Sequence, residues 1–130
     1  MFAGEQLHKY PECRLTKMGR EYIGTVNKTE TGKECIRWDS LPYGKPDDFF
    51  ENIAYSNHFS NLMTWPHRNY CRNPSGKERP WCFVKDKDIQ WEYCDIPMCK
   101  DKGIYCIAFL SHPISLAPIT SYNIDALSPF

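Results

Sequence analysis

With 130 residues and sixteen basic side chains cancelled by sixteen acidic ones, the chain has no net field to draw it to nucleic acid or to an anionic membrane, and neither is expected as a partner. Its length leaves room for one domain of about 80 to 100 residues with flanks, a size at which an apolar core alone is marginal. Seven cysteines, ten prolines, seven glycines and an apolar fraction of 42% describe a loop-rich module held together by covalent bridges.

Residues 1–12 show no hydrophobic periodicity and read as a flanking linker. The start, "MFAGEQLHKYPEC", lacks the basic n-region and apolar stretch of a signal peptide, while disulfides call for an oxidising compartment. An extracellular piece of a larger protein reconciles the two. From Cys13 to Cys99 scarcely any window keeps a 3.6-residue apolar pattern, so little helix is expected. The alternating runs "REYIGTV" (20–26) and "IQWEYCDI" (89–96) predict brief strands. Thr31-Gly32, Gly44-Lys45-Pro46, Asn73-Pro74-Ser75-Gly76 and Arg79-Pro80 punctuate the backbone as turns, and "KDKD" (85–88) predicts a solvated hairpin turn. Asn27-Lys28-Thr29 is an N-glycosylation sequon in a polar loop.

After Cys99 the composition changes, and residues 100–130 read as a poorly ordered tail interrupted by Pro113, Pro118 and Pro129. The apolar run Ile104 to Leu110 is far shorter than the roughly 20 residues that cross a bilayer, so a membrane enters only through flanking sequence. A second reading makes the tail a stub of a segment leading to such an anchor.

Six of the seven cysteines, with one left over, can pair in about 15 ways, so spacing leaves connectivity open. Zinc modules usually show repeated C-x2-4-C pairs, and here only Cys94-x4-Cys99 is so close, with Cys99-x6-Cys106 next, so no metal or cofactor is expected. A reduced intracellular zinc or redox protein is the competing reading; it would present seven free thiols where a disulfide module presents one. Catalysis is not expected either. No nucleophile elbow or H-E-x-x-H motif occurs, and His8, His58, His67 and His112 have no nucleophile and acid in recognisable order.

The stretches "REYIGTV", "TGKECIRW", "NYCRNP", "PWCF" and "WEYCDIPMC" resemble the kringle family's Y-x-G-T, G-x-x-C-x-x-W, central and closing signatures, and together they run from Cys13 to Cys99. The resemblance implies a small disulfide-rich fold, triple-looped with short antiparallel strands. It also implies bridges Cys13–Cys99, Cys35–Cys82 and Cys71–Cys94, with Cys106 unpaired. Trp38, Leu62, Tyr70, Trp81 and Tyr93 lie near the inner cysteines and are expected to pack there.

Many kringles hold a lysine side chain in a shallow groove with an acidic pair at the ammonium, aromatic walls along the stem and a basic residue for a carboxylate. Trp81, Phe83 and Trp91 match the aromatic walls, and the turn before Trp81 is expected to present it to a ligand. The acidic pair is missing, because Ser75 and Lys77 occupy its positions, and Gln90 replaces the basic residue. A cation at Lys77 repels an incoming ammonium by an energy of the order of a few kcal/mol at contact, with Glu78 offering partial compensation. Asp47 with Asp48, or Asp86 with Asp88, is an alternative acidic locus.

Free lysine analogues are therefore expected to bind weakly or not at all. A protein partner is expected on Trp81, Phe83 and Trp91, rimmed by Lys77, Glu78 and Arg79. Kringles of Ror-type receptor tyrosine kinases are similar in lacking the acidic pair while keeping "CRNP", "PWC" and "CDIP", which favours a receptor-type extracellular context. A kringle from a plasminogen-type secreted serine protease is the alternative.

Overall fold

The computed structural model describes residues 10–104. Cys106 and most of the expected linker and tail lie outside them. Disulfides join Cys13 to Cys99, Cys35 to Cys82 and Cys71 to Cys94, the pairing the resemblance implied. The outer bridge closes 86 residues of chain, and the inner bridges close 47 and 23. In the loop-entropy account each such closure contributes about 3 to 5 kcal/mol, less when loops overlap. The two inner bridges touch, with Cys35 Sγ 3.8 Å from Cys71 Sγ. Their four sulfur atoms lie within 4.8 Å of one another, and all four are consumed in disulfides, so none is a thiolate ready for a metal.

Regular structure is sparse. One antiparallel hairpin pairs β1 (Trp81–Phe83) with β2 (Trp91–Tyr93) in the register Trp81 to Tyr93, Cys82 to Glu92 and Phe83 to Trp91. The expected strand in 89–96 is thus present over three residues. At the hairpin tip Asp86 Oδ1 accepts from the backbone of Asp88 (2.8 Å) and Ile89 (3.3 Å), a side-chain turn that leaves "KDKD" largely exposed. Elsewhere the described chain turns through single 3₁₀ turns, such as Trp38–Ser40 and Trp65–His67.

The expected strand over 20–26 does not form. Side chains take the amides that a ladder would use: Tyr10 Oη accepts from Ile23, Glu12 from Thr25, and Tyr22 Oη from Val26. This also explains the "YIGT" spacing. Tyr22 Oη donates to Glu12 Oε1 at 2.5 Å, and a Cβ at position 24 would collide with both groups, so Gly24 lets the backbone pass between them.

Trp38 is the hub of the core. It is fully buried, packs edge-on against Phe59, Trp81 and Phe83 at 5.0 to 5.3 Å, and donates its indole N–H to Tyr70 O at 2.7 Å. Val84 and Ile96 complete the apolar interior. Leu62 differs from expectation: it is 60% exposed with φ +57, carried outward by a left-handed turn at Asn61-Leu62, and Phe59 fills the interior in its place.

Candidate functional site

The loop between Cys71 and Cys82 is organised by one amide. Asn73 Nδ2 donates to Met18 O (2.8 Å) and Lys77 O (2.7 Å), while Asn73 Oδ1 accepts from Lys77 N (2.8 Å) and Trp81 Nε1 (3.2 Å). A buried Asn with all of these bonds made is both satisfied and directional. Gly76 takes φ +81 inside the turn that Asn73 closes. The consequence is a fixed position for Lys77 beside the β1–β2 hairpin.

That position is a groove of about 270 Å³ bounded by Tyr43, Asp48, Trp81, Phe83, Gln90 and Trp91. Lys77 runs into it. Its Nζ stands 4.0 Å from the Trp91 ring centroid and 4.9 Å from that of Trp81, and it donates to Asp48 Oδ2 at 2.8 Å. The Lys77 side chain is 16% exposed, so its methylenes are covered by the aromatic walls. Burial opposes ionisation of Asp48, but the hydrogen bond and the nearby charge of Lys77 outweigh it and hold the carboxyl below its usual range.

A family model described as Kringle domain matches residues 13–99, two thirds of the chain. The chain belongs to the kringle family. Kringle domains are non-catalytic modules that generally mediate protein–protein contacts, and disulfide-bonded kringles are typically extracellular. In this kringle the structure redistributes the expected site residues. Trp81 is 0% and Phe83 2% exposed, so both form the floor of the groove instead of being presented to solvent. All three residues of β1 are buried because the strand lies between the inner disulfides and Trp38, which leaves it no solvent face.

Trp91 is half-buried and is the wall that remains accessible. Arg79 stands apart from Trp91: it caps the next aromatic of β2, with its guanidinium 4.4 Å from the Tyr93 centroid and Nη1 3.1 Å from Glu30 Oε1. Glu78 is exposed and makes no ion pair among the described residues. Two cations thus cover two aromatic rings along one strand, while Glu78 between them points away.

Of the alternative acidic loci, Asp86 is occupied by its own turn, and Asp48 is the carboxylate at the groove. Lys77 was expected as a repelling charge, and the structure adds that its ammonium is bonded to Asp48 and lies over Trp91. The two partners stand 29 positions apart, and only the folded turn brings them together. Asn27 is half-buried at the start of a tight loop in which Thr29 Oγ1 accepts from Lys33 N at 3.0 Å.

Proposed function

We propose that this kringle is a non-catalytic extracellular protein-binding module of the Ror-receptor type, one that does not capture free lysine because its own Lys77 fills the cation position of the groove. The observation that carries this reading is the Lys77 ammonium, 4.0 Å above Trp91 and 2.8 Å from Asp48. Those contacts are what an incoming lysine would seek: an aromatic face for its stem and charge, and a carboxylate for its ammonium. A tethered occupant meets them at high effective concentration, so a soluble amine competes poorly. A partner protein then meets an aromatic surface capped by a cation, with Trp91 and Lys77 central, Trp81 and Phe83 supporting them, and Glu78 and Arg79 at the rim. Asn27 is the glycosylation position in this reading, and the parent is a receptor in preference to a plasminogen-type protease.

The test is a calorimetric titration with 6-aminohexanoate. Wild type shows no measurable binding, and Lys77→Asp, which removes the occupant and adds a second carboxylate beside Asp48, gains it. Micromolar binding by wild type would overturn the proposal.

A further inference from the structure

A second cavity lies away from the groove. It measures about 340 Å³ and is lined by Arg20, Tyr22, Phe59, Ser60, Arg72 and Pro74, with His58, His67 and Asn73 completing it; no acidic side chain is among these residues. Arg72 is its most unusual wall. The residue is 6% exposed, and each hydrogen bond it donates goes to a neutral acceptor: Nε to His67 Nδ1 (2.8 Å), Nη1 to Gly24 O (2.8 Å) and Cys71 O (2.7 Å). Among the described residues no carboxylate lies within ion-pair distance of it, and Nη2 makes no hydrogen bond.

The Arg72 guanidinium also lies 5.6 Å from the Tyr22 and 5.5 Å from the Tyr70 ring centroid, so aromatic faces and neutral acceptors stand where a buried cation ordinarily has an anion. Burial pulls Arg72 down to about 10, although Tyr22, Tyr10 and Glu12 act in the opposite direction. Glu12 cannot move in to pair with it, because its carboxylate already accepts from Tyr22 Oη, Thr25 N and Thr25 Oγ1. The two histidines, neutral or cationic, cannot supply a negative charge, and the fold holds both of them. His67 Nε2 meets Ser60 O at 3.2 Å while its Nδ1 accepts from Arg72, and His58 Nε2 accepts from Phe50 N at 3.0 Å with Nδ1 3.0 Å from Ala54 O. Both rings are fully engaged by the fold.

We infer that this cavity is a carboxylate-binding site, in which a carboxylate carried beside an apolar group of a protein partner sits between the Arg72 and Arg20 guanidiniums with its apolar group against Phe59, Tyr22 and Pro74. Arg72 keeps only Nη2 for a ligand, because Nε and both Nη1 hydrogens are taken by the fold, so it supplies one charge-assisted hydrogen bond while the planar fork comes from Arg20, and a low-dielectric wall strengthens both. The aromatic and proline walls favour such a ligand over a strongly hydrated inorganic oxyanion, which has nothing to place against them.

The experiment is an NMR titration of the full chain with N-acetyl-phenylalanine, its neutral amide, and sulfate, reading the Arg72 side-chain Nε–Hε signal. The carboxylate is expected to move that signal saturably, and the amide to leave it unchanged. Arg20→Gln, at an exposed position that leaves the fold intact, is expected to weaken binding about tenfold, the usual loss for one charged hydrogen-bonding partner. Lys77→Ala is expected to bind as wild type does, which separates this cavity from the groove. An equal response to the amide, no response to the carboxylate, unaltered affinity in Arg20→Gln, or a response to sulfate alone would each overturn the assignment.

Discussion

Lys77 and Arg72 are cations five positions apart on one disulfide-bounded loop, yet the fold treats them in opposite ways. Lys77 lies at the surface, its ammonium against two tryptophans and a carboxylate. Arg72 is buried among carbonyls and an imidazole and has no carboxylate partner. A surface cation with its partners in place adds little to stability, and in the proposed reading it decides what the groove accepts. A buried cation with neutral partners holds three parts of the chain together and, in the site inferred above, leaves Nη2 for an anion. On that reading, binding specificity and structural cohesion are carried by nearby residues of the same charge.

The contrast is broken most forcefully at Arg72. Arg72→Ala strands His67 Nδ1, Gly24 O and Cys71 O without their donor, and at about 1 to 3 kcal/mol for each stranded buried group the total is about 3 to 9 kcal/mol. Chemical denaturation should show the midpoint falling accordingly, and a loss below 1 kcal/mol would show that the cation is not integral to the fold. Next in size is removal of the bridge beside it. Replacing Cys71 and Cys94 together by Ala is expected to cost about 2 to 5 kcal/mol, read as a lowered melting temperature.

A smaller effect sharpens the comparison through pH. Burial is the largest influence on His67 and lowers its pKa; the Ser60 carbonyl works against that, and the charge of Arg72 adds to the lowering. The unfolded chain, with its histidine near the ordinary value of about 6.5, therefore binds the proton more readily than the fold does. Stability from this group is fully present above about pH 6.5 and declines as pH falls below it, by at most about 1.4 kcal/mol per pH unit. His67→Gln should flatten that decline in melting temperatures measured between pH 7 and pH 5. An unchanged slope would remove His67 from the account. Smallest is Lys77→Ala, expected to cost only about 0.2 to 1 kcal/mol because Asp48 is more than a third exposed, while it changes what the groove binds.

The hairpin was legible in the sequence because it rests on local signals, the turn residues and the alternation in "IQWEYCDI", whereas the disulfide pairing followed from the resemblance to kringle motifs, since spacing alone left it open. The irregular path of 20–26 was not, because it depends on Glu12 and Tyr10 reaching across about a dozen positions to capture its amides. Leu62 misled for a similar reason, since its hydrophobicity says core and only the left-handed turn sends it outward. At the candidate site the aromatic residues were readable and their exposure was not. Period-two alternation cannot tell which face of Trp81 and Phe83 is covered when both faces of β1 are buried. Asp48 was readable as an alternative acidic locus, but its pairing with Lys77, 29 positions away, was not, because only the folded turn brings the two together.

The central claim, that Lys77 occupies its own groove, is tested most directly by the proton shifts of its side chain. Methylene protons next to Nζ, held over the face of Trp91, should resonate upfield of those of the exposed Lys85 and Lys87, and should return to the ordinary lysine position in Trp91→Ala with the fold intact. Lys77 shifts that match those of Lys85 and Lys87 in the wild-type protein would contradict the account.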